Sequence, residues 1–179
     1  MAQVSHPFWG TVKSDAGGDT SDISFHHPFF GPGKVNVLLG NHQVFLTDEE
    51  RRLNPGQFYK PSGIKLDETI LSEFADTYTK FIERIDINLE LLQHVFFRFY
   101  REWLLPQLPE VFDEFIVIET IEKHNNCIKS LALIRVESGK SISLRFAYPL
   151  FWAPYLDVDF VNGKLDNIAG EKINDNWLP

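Results

Sequence analysis

An apolar stretch in the middle of the chain, residues 87–105, constrains the fold more than any other feature. Its large apolar side chains would cover most of the circumference of a helix: Leu89, Leu91, Leu92, Val95, Phe96, Phe97, Phe99, Tyr100, Trp103, Leu104 and Leu105. Such a helix must be buried on several sides, and Pro106 ends it. A second helical pattern precedes it. Asp67 can cap this earlier helix, and its apolar residues recur every three or four positions up to Ile85, so that one face is buried.

Strand patterns lie on both sides of these two helices. The N-terminal candidates are residues 6–13, 22–30, 34–39 and 43–46, with a turn at residues 14–20. The C-terminal candidates are residues 129–136, 141–148, 156–161 and 164–169, with turns at residues 137–140 and at Asn162-Gly163. Both groups alternate apolar and polar residues between short Gly-rich turns, which is typical of antiparallel hairpins.

The order strands, helices, strands predicts an α+β fold. Its antiparallel sheet is built from the N-terminal and C-terminal meanders, with two to three helices inserted between them and packed on one face. The third helix is predicted over residues 111–124, where Phe115, Ile118 and Ile121 keep helical spacing, although the apolar run 115–118 could also form a strand. The pattern leaves open whether the two meanders form one continuous sheet or two.

The chain of 179 residues is long enough for one core, so we expect a single domain over residues 1–179. Residues 47–66 are polar and rich in Pro and Gly, which predicts a surface loop. This loop is expected to open with a short helical turn, because Thr47 and Glu50 stand at capping-box spacing. Residues 170–179 are expected to form a loosely docked tail.

The charge balance disfavours nucleic acid as a partner. There are 17 Lys and Arg against 25 Asp and Glu, a formal net charge of -8, whereas proteins that neutralise phosphates usually carry a basic face.

Neither a signal-peptide pattern nor an apolar run long enough to span a membrane is present, so a cytoplasmic protein is the expectation. Cys127 has no second cysteine to pair with. No motif indicates a cofactor, and we expect none.

Histidines on the N-terminal strands suggest one enzymatic alternative, a metal-dependent hydrolase. His6, His42 and one of the adjacent pair His26 and His27, with a carboxylate, would supply the three ligands that catalytic zinc requires. His26 and His27 cannot both bind one ion from a regular strand, since neighbouring strand residues point to opposite faces. The pattern favours ordinary strand histidines, one half-buried and one solvated, over this metal site.

Three other groups of residues are candidates for a binding site. Asp157 and Asp159 share one sheet face through their spacing of two. Trp152 and Tyr155 lie close to them and are residue types that concentrate binding energy at interfaces. On the second helix, Arg98 and Arg101 continue a polar stripe and could donate to a partner. The many aromatic residues also allow a pocket for a small apolar molecule between helices and sheet.

The C-terminal segment SISLRFAYPLFWAPYLDVDFVNGKLDNIAG resembles the ending of a group of uncharacterised bacterial domains. In that group a strand leads to a Trp-x-Pro turn, here Trp152-Ala153-Pro154, and then to an Asn-Gly hairpin, here Asn162-Gly163. Ala153 and Tyr155 stand where the group carries acidic and histidine residues. Phe8-Trp9-Gly10, Phe29-Phe30-Gly31 and Phe99-Tyr100 extend the similarity over most of the chain.

Some members of that group resemble immunity proteins, so the resemblance implies a non-enzymatic, cytoplasmic protein-binding domain that acts as an inhibitor of a toxin. The acidic charge fits a basic partner, because opposite charge accelerates encounter. The site would then use Trp152, Tyr155, Asp157 and Asp159. The metal-dependent hydrolase and the small-molecule binder remain the alternatives, and the oligomeric state stays open.

Overall fold

The computed structural model describes most of the chain. The described residues are 3–15, 18–40, 43–57, 59–61, 65–108, 117–151, 153–173 and 175–179. Their strands, in chain order, are β1 (Gln3–His6), β2 (Gly10–Asp15), β3 (Gly18–Phe25), β4 (Val35–Leu39), β5 (Gln43–Phe45), β6 (Tyr59–Pro61), β7 (Leu131–Glu137), β8 (Ser141–Phe146), β9 (Leu156–Val161), β10 (Lys164–Ile168) and β11 (Glu171–Lys172). Their α-helices are α1 (Asp48–Leu53), α2 (Glu68–Ile82), α3 (Ile85–Phe99) and α4 (Ile121–Asn125).

Nine of these strands form one sheet, in the order β1-β2-β3-β4-β7-β8-β9-β10-β11. Neighbouring strands are antiparallel, except that β4 and β7 run parallel, with Val37 opposite Ile134 and Leu39 opposite Val136. This parallel pair joins the two meanders into a single sheet. The sequence pattern allowed either one sheet or two. β5 and β6 form a separate two-stranded ribbon.

Helices α2 and α3 pack on one face of the sheet, which confirms the predicted α+β fold. The strands turn alternate apolar side chains toward them: Val37, Leu39, Ile134, Val136, Ile142, Leu144, Phe146, Leu156, Val158, Phe160, Leu165 and Ile168. The Trp9 indole N–H donates to the Leu71 carbonyl at 2.8 Å and so attaches the first hairpin to α2. Burial of these apolar faces is the main stabilisation of both layers.

Local signals explain where the helices begin and end. The Asp67 carboxylate accepts from the Ile70 N–H, so α2 begins where the sequence predicts. At α1, Thr47 and Glu50 form the predicted capping box. After Phe99 the chain adds one wider π-type turn, Tyr100–Leu104, followed by a 3₁₀ turn that includes Pro106.

The N-terminal meander differs from the prediction. Residues 6–13 and 22–30 were expected to be two strands, but β1, β2 and β3 are three, and most of the predicted turn at residues 14–20 belongs to β2 and β3. The chain reverses between β2 and β3 within the predicted turn, with Asp15 opposite Gly18, and makes an additional reversal before Gly10, whose φ is +69°. A Cβ at Gly10 would lie 2.7 Å from the Asp22 carboxylate, which explains the glycine.

Three other segments also depart from expectation. In the predicted third helix, residues 111–116 lie outside the described part of the chain, and the helix observed there is the short α4. Residues 47–66, predicted to be a surface loop that opens with a helical turn, contain that turn as α1 and also the strand β6. The tail is anchored more firmly than predicted, since Trp177 is buried and its indole N–H donates to Glu102 at 2.8 Å.

Candidate functional site

The sheet face opposite the helices carries a row of charged and polar side chains. We call this surface the polar face and define it by Arg135 and Glu137 on β7, Ser143 and Arg145 on β8, and Asp157 and Asp159 on β9. These residues alternate with the apolar residues that contact the helices, because successive strand residues point to opposite faces. The antiparallel register places Ser143 between Arg135 and Asp159.

One end of the polar face is held rigid by a cross-strand ion pair. The Arg145 guanidinium donates twice to the Asp157 carboxylate, each time at 2.7 Å. These hydrogen bonds raise the pKa of Arg145 further above its usual range. The Tyr155 ring lies 6.0 Å from the Arg145 guanidinium carbon and is half exposed. Tyr155 is therefore an accessible aromatic side chain on a fixed charged base.

The other end carries charges that are incompletely paired. The Glu137 carboxylate lies 3.9 Å from Arg135, beyond hydrogen-bond distance, and the buried Arg135 Nε has no hydrogen-bond partner among the described residues. Burial raises the pKa of Glu137; Arg135 opposes this effect and Asp159 adds to it. Within the part of the chain that the structure describes, Asp159 makes neither a hydrogen bond nor an ion pair. Its carboxylate is available to an external donor.

The structure brings together only some of the predicted site residues. Tyr155, Asp157 and Asp159 lie on or beside the polar face, whereas Trp152 lies outside the described residues. Arg98 pairs with Glu102 at 3.3 Å on the exposed side of the helical layer. Arg101 is exposed in the π-type turn that follows α3. The two arginines therefore belong to a different surface from the two aspartates.

Sequence reasoning missed Arg135, Glu137 and Arg145. Each stands at a polar position of an alternating strand, so that its face could have been predicted from the pattern alone. Their neighbours across the sheet depend on the register of β7, β8 and β9, which the sequence did not specify.

The histidines considered for a metal site have separate partners. His6 shares a hydrogen bond of 3.2 Å with Ser72 on α2, and His27 contacts the Asp86 carboxylate on α3 at 3.1 Å. His26 is exposed, and His42 lies outside the described residues. Among the residues that the structure describes, no three His, Cys, Asp or Glu side chains are grouped so that they could hold a metal ion. The described part thus provides no ligand set for the hydrolase alternative.

A histidine outside those predictions is buried in the aromatic core. His124 on α4 contacts the rings of Phe96, Phe97, Tyr100 and Tyr148, and its Nε2 lies 2.7 Å from the Tyr148 hydroxyl. Burial lowers the pKa of His124 to about 4 and raises that of Tyr148. His124 is 0% exposed, so a substrate has no access to this pair in the observed conformation. These rings pack against one another between helices and sheet. This is the region in which a pocket for a small apolar molecule was predicted.

The fold and the polar face define an α+β protein with a large mixed sheet, one side of which is covered by helices. No described helix is both long and apolar enough to cross a membrane. Comparison with known proteins finds no family model, no curated protein and no solved structure that matches the chain. The resemblance to bacterial domains described above therefore stays a prediction.

Proposed function

We propose that this chain is a non-enzymatic protein-binding domain of the bacterial cytoplasm, an immunity-like inhibitor whose polar face binds a basic protein toxin. The observation that carries this proposal is the Asp159 carboxylate, which has no hydrogen-bond or ion-pair partner among the described residues. It lies on the same sheet face as the fixed Arg145–Asp157 pair and the exposed Tyr155. Tyrosine is one of the residue types that concentrate binding energy at protein interfaces.

Charge supports a basic partner. The chain carries a formal net charge of -8, which would attract a cationic protein over distances of about a Debye length. At the polar face a partner's Lys or Arg would pair with Asp159, and its apolar or cationic side chains would cover Tyr155. Because the backbone there is held in three neighbouring strands, little ordering is needed on binding.

The test is affinity capture from a lysate of the source organism with matched variants. We expect the unaltered chain to retain one stoichiometric basic protein, released as the salt concentration rises. Tyr155→Ala combined with Asp159→Asn should weaken binding about 30-fold or more, which corresponds to the loss of one interface hot spot. The captured protein, once purified, should be toxic, and the unaltered chain should inhibit that toxicity.

Arg98→Ala combined with Arg101→Ala is the control, because it removes two exposed charges from the helical layer and leaves the polar face intact. This variant should retain the partner with unchanged affinity. The proposal is wrong if the control variant loses the partner while the Tyr155 and Asp159 variant keeps it, or if the purified chain carries no stoichiometric protein partner at all.

A further inference from the structure

An open groove of about 400 Å³ lies where the C-terminal half of α2 meets two hairpin turns of the sheet. The turns are the β7–β8 turn, which contributes Lys140, and the β9–β10 turn, which contributes Asn162. Lys80 and Asp76 come from α2, and Glu83 and Arg84 from the junction between α2 and α3. Three cationic and two acidic side chains therefore line one groove.

The two turns are joined by a hydrogen bond, from the Asn162 N–H to the Lys140 carbonyl at 2.9 Å. This bond fixes the position of the Lys140 backbone relative to the β9–β10 turn. Lys140 and Asn162 thus form one wall of the groove, and the sheet fixes the positions of their backbones.

Both wall residues adopt the left-handed backbone conformation, with φ of +59° at Lys140 and +51° at Asn162. Asparagine visits this region readily, but a lysine there is strained relative to Gly or Asn. A lysine at such a position is explained when its side chain has a role that Gly or Asn could not fill. Strained non-glycine residues are concentrated at functional sites for this reason.

The cations differ in their pairing. Lys80 forms an ion pair with Asp76 at 2.6 Å. Arg84 and Lys140 form neither an ion pair nor a side-chain hydrogen bond with the described residues, although Glu83 is adjacent to Arg84 in the chain. Two cations without a partner among the described residues, one from each side of the groove, are suited to one doubly charged anion.

We propose that this groove binds a small phosphomonoester, with the phosphate held between the Arg84 guanidinium and the Lys140 ammonium. The Asn162 side-chain amide provides a third donor. The groove volume lies at the lower end of the range for small-molecule sites, which fits a phosphorylated metabolite. This site uses residues other than those of the polar face, so it stands or falls independently of the proposed inhibitor function.

The experiment is calorimetric titration of the full chain with glucose 6-phosphate, inorganic phosphate and glucose. We expect saturable binding of both phosphates and none of glucose. Lys140→Gly is the decisive variant, because Gly relieves the left-handed strain: its melting temperature should stay unchanged or rise, while phosphate affinity falls about tenfold or more. Arg84→Gln should weaken the same binding to a similar extent.

Lys164→Gln is the matched control, since Lys164 is exposed next to the β9–β10 turn and does not line the groove. It removes the same charge and should leave the affinity unchanged. Equal weakening by Lys164→Gln and Lys140→Gly would show a general charge effect and overturn the site. Absence of saturable binding by either phosphate, or binding that survives both Lys140→Gly and Arg84→Gln, would also overturn it.

Discussion

His124 couples the stability of the fold to pH. Its side chain is fully buried, and its folded-state pKa of about 4 lies below the value of about 6.5 expected in an unfolded chain. Protonation therefore favours the unfolded state, and the stabilisation present above pH 6.5 is lost as the pH falls toward 4. Over that interval we expect His124 to remove about 3 kcal/mol from the free energy of unfolding.

Urea unfolding at pH 7 and pH 4.5 measures this effect when the chain is compared with His124→Gln. The variant is less stable at pH 7, because the imidazole packing against Phe96 and Tyr148 is lost. Its loss of stability between the two pH values should nevertheless be about 2–3 kcal/mol smaller than that of the unaltered chain. Identical pH dependence in both proteins would contradict the buried, neutral state of His124.

Single residues also show how far a sequence specifies a site. Asp157 and Asp159 could be placed on one face because a spacing of two is sufficient for that inference. The bidentate partner of Asp157 could not be named, since Arg145 lies on another strand and meets it only in the observed register. The pairing of Arg98 with Glu102 is a local i, i+4 contact of the kind that a sequence pattern does contain.

At the scale of elements, α1 and α2 begin with the same type of N-cap, but only α2 packs against the core. Asp67 caps α2, which buries Leu71, Phe74 and Phe81 against the core, whereas Thr47 caps α1, in which no residue is buried. Asp67→Ala should lower the free energy of unfolding by about 1 kcal/mol, because fraying of α2 disturbs core packing.

Thr47→Ala is the matched control for that substitution. It should change the global free energy of unfolding by at most a few tenths of a kcal/mol, since α1 can fray without exposing the core. Chemical denaturation of both variants checks the difference. Equal destabilisation by the two substitutions would show that α1 is part of the cooperative core, contrary to its exposure.

Elements with strong local signals were predicted well. The turns at residues 137–140 and at Asn162-Gly163 are confirmed, with positive φ at Gly139, Asn162 and Gly163. The N-terminal hairpin was misassigned because Phe8 and Trp9 are apolar and resemble strand residues. Trp9 is buried through a contact with α2 that no local pattern contains.

At the scale of the whole molecule, one parallel pairing decides the topology. β4 and β7 are separated in sequence by both long helices, and their pairing turns two antiparallel meanders into a nine-stranded sheet. Hydrophobic alternation reports which face of a strand is buried but carries no information on which distant strand lies beside it. The choice between one sheet and two therefore could not be made from the strand patterns alone.

That joint should make the two meanders a single cooperative unit. Leu39 on β4 is fully buried opposite Val136, and the next residue, Gly40, donates its N–H to the Val136 carbonyl at 2.7 Å. Leu39→Ala leaves a cavity at this point and should cost about 2–5 kcal/mol. Native-state hydrogen exchange should then show the same loss of protection in the slowest amides of β3 and of β8, because these amides exchange only through global unfolding.

Leu53→Ala, at a side chain that is 76% exposed, is the control and should leave the protection of both strands unchanged. If β8 kept its protection while β3 lost it, the two meanders would unfold separately and the joint would be a contact between independent units.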